Sequence, residues 1–94
     1  MNKYESVVII NPTVDEEAMK ALVAKFTDLI NSDGKVENVE ELGKRTLAYS
    51  VKKFEEGFYT IFHFEAKPSL ITELERNYRI TDEIIKFMTV KKDD

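Results

Sequence analysis

The 94 residues include no cysteine, one histidine, three glycines and two prolines, and each shortage removes a class of chemistry. Without cysteine there is no disulfide, no thiolate metal site, no CxxC redox pair and no thiol nucleophile. The single histidine, His63, falls inside an expected strand with neither a nucleophile nor an orienting group attached to it in sequence, so a packed or partner-facing ring is the simpler reading than a general base. The adjacent acids Glu16-Glu17, Glu40-Glu41, Glu55-Glu56 and Asp93-Asp94 fall at helix starts, turns and the tail, with no histidine cluster to suggest a metal. No run approaches the roughly 18 apolar residues of a membrane span, and Met1-Asn2-Lys3-Tyr4-Glu5 lacks the apolar core of a secretory signal. The expectation is a soluble, cytoplasmic, non-enzymatic protein with no cofactor and no small-molecule substrate.

Fourteen basic and eighteen acidic residues leave a formal charge of -4. That sign argues against nucleic-acid affinity driven by the whole-molecule field, yet it leaves room for a local basic patch. At this length one hydrophobic core is expected, hence a single domain over residues 1–94.

Hydrophobic spacing sets out the elements in order. Residues 4–10 are rich in β-branched side chains, with Ser6, Val8 and Ile10 on one face and Glu5, Val7 and Ile9 on the other. Asn11-Pro12 breaks the strand, and its lack of glycine speaks against phosphate-loop and acylphosphatase-like chemistry. Thr13 with Glu16 fits a capping box, with Asp15 as the competing cap. Met19, Leu22, Val23, Phe26, Leu29 and Ile30 then lay one apolar stripe along a helix. Gly34 suits the left-handed position that ends it. Val36 and Val39 open a second strand, and their three-residue spacing predicts a bulge between 39 and Gly43. Phe54-Glu55-Glu56-Gly57 reads as the hairpin connection to a third strand over 58–65. Pro68-Ser69 opens a second helix with Ile71, Leu74 and Tyr78 inward, and a last strand follows over 83–90.

The order strand, helix, strand, strand, helix, strand is the split βαβ pattern of the α+β, ferredoxin-like class. Right-handed crossovers put the first and third strands at the centre of a four-stranded antiparallel sheet, with both helices on one face. The other face is left open and carries Val7, Ile9, Tyr59 and Ile61, an apolar surface that a partner is expected to cover.

Residues 43–53, Gly-Lys-Arg-Thr-Leu-Ala-Tyr-Ser-Val-Lys-Lys, combine strand alternation with four cations and no acid. A solvated edge strand whose lysines discourage pairing satisfies this pattern. So does a surface for a polyanion, with Lys44, Arg45, Lys52 and Lys53 on phosphates and Tyr49 or Tyr59 stacking a base. The segment 57–64 resembles the aromatic third-strand motif of RNA-recognition domains, with Glu56 where that motif has a cation and Thr60 where it has an aromatic.

Gly43-x-Arg45-x-Leu47-Ala48-Tyr49 also resembles the signature of the bacterial small-subunit ribosomal protein S-six family. The likeness extends to Tyr4-Glu5, Asn11-Pro12, Glu40-Glu41-Leu42-Gly43, Gly57 with Tyr59, and Val90-Lys91. It implies a structural constituent of the small ribosomal subunit. Binding would be to the central domain of small-subunit rRNA, together with the eighteenth small-subunit ribosomal protein, during platform assembly. It implies RNA contacts by Lys44, Arg45, Lys52 and Lys53, and further by Lys3, Arg79 and Lys86. The apolar face of Val7, Ile9, Tyr59 and Ile61 would meet the partner protein, and the isolated chain would be a monomer. Ser50 stands where many members have proline, and Ile85 where some have a cation beside Lys86. The chain stops at Asp94, whereas longer members extend a C-terminal tail along the partner, so the resemblance implies a smaller interface here. The alternative from another class is a homodimeric ferredoxin-like regulatory or interaction module.

Overall fold

A computed structural model describes residues 1–92; the acidic pair Asp93-Asp94 lies outside the described residues. The elements are β1 (Asn2–Ile10), α1 (Glu16–Asn31), β2 (Gly34–Val51), β3 (Phe54–Ala66), α2 (Pro68–Ile80) and β4 (Ile84–Lys91). The strands form one sheet in the order β2-β3-β1-β4, antiparallel throughout. This is the ferredoxin-like arrangement that the element order predicts.

The helices supply Phe26 and Ile30 from α1 and Leu70, Leu74 and Tyr78 from α2, packed on Val8, Ile10, Phe62 and Phe64 of the central strands. The α2 stripe therefore runs 70, 74, 78, and Ile71, expected to face inward, sits partly buried at its rim. Asp15 is the N-cap of α1, its Oδ1 accepting from the Ala18 N–H at 2.7 Å. The rival cap, Thr13, is instead turned back onto Asn11, whose Oδ1 accepts from the Thr13 N–H and hydroxyl at 2.8 and 2.7 Å. Deep in the core the Ser6 hydroxyl bonds the Tyr78 hydroxyl at 2.9 Å and the Thr89 hydroxyl at 3.0 Å, tying β1, α2 and β4 together. Burial, opposed by the Ser6 hydrogen bond and aided by the Glu75 charge, pushes the Tyr78 phenol well above its ordinary value.

Two sequence expectations fail, and the expected bulge holds in place but not in its reason. Gly34 is not a left-handed helix cap: α1 ends at Ser32 and Gly34 is the first residue of β2, without a positive φ. Glycine is needed there because a Cβ would stand 2.5 Å from the Glu65 carbonyl oxygen. The bulge prediction holds for Leu42, the extra residue between Glu41 and Gly43 in the register with β3, and Gly43 beside it has φ +80°. The residue that turns both Val36 and Val39 toward the helices is a different one, Glu37, which sits unpaired while those valines face Phe64 and Phe62. Finally, the β2–β3 turn is not at 54–57 but at Lys52-Lys53, closed by the Val51 and Phe54 pair.

Both turn lysines have positive φ, 50° and 72°, as a two-residue hairpin turn that matches strand twist requires. Between the pairs Thr46–Glu56 and Val51–Phe54, four residues of β2, 47 to 50, oppose only Glu55 of β3. This excess chain arches over the helix-free face. Leu47 is thereby buried in a second small cluster with Ile9 and Ile85, flanked by Val51, Phe54 and Tyr59.

Candidate nucleic-acid interface

Strand register decides which cations meet. Lys44 lies opposite Phe58 and Arg45 opposite Gly57, both beside the end of β1, because Phe58 pairs with Ile10. Lys52 and Lys53 form the turn beyond them. Lys86 is opposite Ile9 on β4, and Arg79 sits in the last turn of α2, where a cation also complements the helix dipole. Six of the seven candidate cations thus gather at one end of the molecule, from β2, the hairpin turn, α2 and β4. Lys3 does not join them. It pairs with Glu65 near the start of β1, seven strand steps or about 23 Å from Ile10.

These cations are held by aromatic rings more than by acids. The Lys44 ammonium is 5.5 Å from the centre of the Phe58 ring, and the Arg79 guanidinium is 5.6 Å from that of Phe87. Lys86 Nζ donates to the Tyr49 hydroxyl at 2.8 Å and lies 4.9 Å from the ring centroid. That hydrogen bond first, and the ammonium charge second, lowers the phenol of Tyr49 from its ordinary value. Among the described residues none of Lys44, Arg45, Lys52, Lys53 and Lys86 is in an ion pair, and Arg79 reaches Glu75 only at 4.0 Å. By contrast Arg76 is committed to Glu73 at 2.7 Å and Lys92 to Glu5 at 3.6 Å. Of the two candidate stacking rings, Tyr49 is 65% exposed, whereas Tyr59 is half-buried against the Ile9 cluster.

The apolar face needs a correction. Ile9, expected to be open to a partner, is only 6% exposed because the arch lays Leu47 over it. Val7 and Ile61, directly opposite each other on the central strands, remain half-buried. They continue outward into Met88, opposite Val7, and Val90, opposite Glu5. These two are 57% and 45% exposed. Sequence reasoning passed over both, although the alternation Lys86, Met88, Val90 already placed them on one face. A polar border follows: His63 Nε2 is 2.8 Å from Glu40 Oε2, and Lys92 Nζ is 3.5 Å from His63 Nδ1. His63 is accordingly tied into a surface charge network that links β2, β3 and the residue after β4. Among the described residues no group of acids and histidines is placed to hold a metal.

The chain resembles known proteins over nearly its whole length. The sequence profile of the family described as Ribosomal protein S6 matches residues 3–91. The small ribosomal subunit protein bS6 of Clostridium novyi is 50% identical over 91 residues, 96% of each chain. That of Clostridium botulinum strain Hall is 51% identical over 94 residues, 99% of this chain and 100% of the relative. The crystal structure of 30S ribosomal protein S6 from Thermotoga maritima superposes with a TM-score of 0.92 at 41% identity, over 97% of this chain and 87% of that one. The C-terminal domain of MgtC from Mycobacterium tuberculosis, at 13% identity and a TM-score of 0.61, shares the fold alone. The chain belongs to the ribosomal protein S6 family, whose members are structural, non-enzymatic proteins of the bacterial small ribosomal subunit.

Proposed function

We propose that the chain binds the central domain of small-subunit rRNA together with the eighteenth small-subunit ribosomal protein, as a step of platform assembly. The observation that carries this reading is the gathering of Lys44, Arg45, Lys52, Lys53, Arg79 and Lys86 at one end of a chain whose net charge is -4. Cations drawn together with only Arg79 near a carboxylate, that of Glu75 at 4.0 Å, keep their charge available for phosphates. The apolar strip of Val7, Ile61, Met88 and Val90, bordered by Glu5 and Glu40, supports a separate place for a small basic protein. Lys3 lies near that strip's end of the sheet, away from the other six cations, so its RNA contact would belong to a different stretch of the nucleic acid.

Filter binding to the central-domain junction, with and without the partner protein, tests the reading. Neutralising a few phosphates gives a log–log salt slope of about -2 to -4, at roughly 0.7–0.9 per contact. Affinity should rise when the partner is added; tight binding by the chain alone with no gain from the partner would sink the proposal. Lys44→Ala with Arg45→Ala should weaken RNA binding and leave thermal unfolding unchanged, since both side chains are exposed. The apolar strip also suits a second copy of the chain, and sedimentation decides: a stable homodimer favours that second reading.

A further inference from the structure

We propose that the depression between the β2–β3 turn, the end of α2 and the start of β4 is a nucleotide subsite. It takes one unpaired nucleotide of an RNA strand, with the phosphate on Lys52, Arg79 and Lys86 and the base against Phe87, beside the wall that Ile84 and Ile85 line. The inference deepens the RNA-binding reading above and rests on it.

The cavity measures about 330 Å³, within the lower part of the ~300–1,000 Å³ range of small-ligand sites. Its three charged lining residues are all cations, delivered by three different elements, and no carboxylate lines it. In a chain with more acids than bases, that exclusion singles out an anion. The apolar side is of another kind: Ile84 and Ile85, 4% and 5% exposed, are fixed by packing into the helix-side core and the Leu47 cluster respectively, which leaves half-buried Phe87 as the accessible apolar surface. A bare phosphate on the rim would leave Phe87 wet. A base attached to it would cover Phe87 beside the Arg79 guanidinium, which stands 5.6 Å from the ring centre. A duplex presents its backbone and shallow groove here, not a base face, so the shape selects single-stranded RNA.

Two details favour an anion despite the nearby helix C-terminus, whose carbonyl dipoles alone repel one. The Thr81 hydroxyl bonds the Asn77 carbonyl at 2.7 Å and the Thr81 N–H bonds that of Tyr78 at 3.3 Å, occupying two of those carbonyls. Lys86 spends one donor on the Tyr49 hydroxyl and keeps two of its three for phosphate oxygens. Tyr49 is thus a positioning residue that holds the ammonium near the rim.

The test is NMR titration of the full chain, with isoleucine methyls labelled, against 5′-AMP, adenosine and inorganic phosphate at low salt. AMP should shift the Ile84 and Ile85 methyl signals saturably and bind more tightly than phosphate or adenosine. Arg79→Gln, at an exposed side chain, should weaken AMP by about tenfold, the equivalent of one charge-assisted contact, with folding unchanged. A short single-stranded oligoribonucleotide should displace AMP, and the same sequence as a duplex should not. Equal affinity for AMP and phosphate, methyl shifts elsewhere, or equal competition by the duplex overturns the subsite. Saturable AMP binding that single-stranded RNA fails to displace assigns the pocket to free nucleotides and overturns the RNA source. Binding to the rRNA central domain is measured in parallel: if it persists without AMP shifts, the subsite alone falls, and if it is absent, the RNA reading itself falls.

Discussion

The Lys52-Lys53 turn offers a perturbation in which stability and RNA affinity should move in opposite directions. Both residues are left-handed, with φ 50° and 72°. For a side chain bearing a Cβ that conformation costs about 1–2 kcal/mol. Asparagine followed by glycine is the sequence such turns prefer. In Lys52→Asn/Lys53→Gly, glycine removes the cost at 53 but restores about 0.5–1 kcal/mol of unfolded-state freedom, and asparagine relieves part of the cost at 52. The balance is a gain of about 1 kcal/mol, or roughly 4–8 °C in Tm for a domain of this size. The same change deletes two cations, so the slope of log affinity against log salt should flatten by about 1.4–1.8. Thermal unfolding and salt-dependent filter binding measure the two effects on one variant. A fall in Tm with an unchanged fold would refute the strain argument. An unchanged salt slope would refute the assignment of these lysines to phosphates.

The core triad of Ser6, Tyr78 and Thr89 gives a graded pair. Tyr78→Phe removes one buried hydrogen bond while Ser6 keeps Thr89, costing about 1 kcal/mol. Ser6→Ala strands both the Tyr78 and the Thr89 hydroxyls and should cost about 2–3 kcal/mol; denaturant unfolding reads the order. Tyr78 also sets an alkaline limit, because burial raises its folded pKa above the ordinary 10.0. Above that pH the unfolded chain binds fewer protons than the folded one, so stability falls as pH rises; Tyr78→Phe should flatten the decline in unfolding curves taken from pH 9 upward. Leu47→Ala should cost about 2 kcal/mol, at the low end for a buried leucine because its cluster lies at the solvent edge. Freed from its anchor, Tyr49 should also leave Lys86 and titrate nearer its ordinary value in ultraviolet difference spectra.

Element order was legible because periodicity of two and of 3.6 is imposed by burial on one face, and here the helices cover one face of the sheet only. The β2–β3 turn was not, since the local cue pointed to Gly57. Gly57 answers to a tertiary need: a Cβ there would collide with Ile9 Cγ2. Gly34 misled for the same reason, its requirement being set by Glu65 across the sheet. Cation identity was readable from 43–53, whereas the meeting of Lys52 with Arg79 and Lys86 depends on how far the hairpin overhangs β1. Ile9 looked available to a partner because alternation reports a face and cannot report that another part of the chain folds back over it.

That fold-back accounts for the division of the open face. Four residues of β2 opposite a single β3 residue form an arch too long to continue the ladder, so its apolar member, Leu47, packs on Ile9 and Ile85. Tyr49, two residues on and pointing the same way, then reaches Lys86. The helix-free sheet is thereby self-covered at the cationic end and bare at the other, where Val7, Ile61, Met88 and Val90 remain. A polyanion and an apolar protein surface make opposite demands: the first needs ammonium and guanidinium groups held near a dry, fixed wall, the second a desolvable strip without trapped charge. Under the proposed function one arch would meet both, by moving the chain's own apolar cover to the end where the cations stand. The left-handed lysines at its tip are the conformational cost of reversing the chain immediately after it.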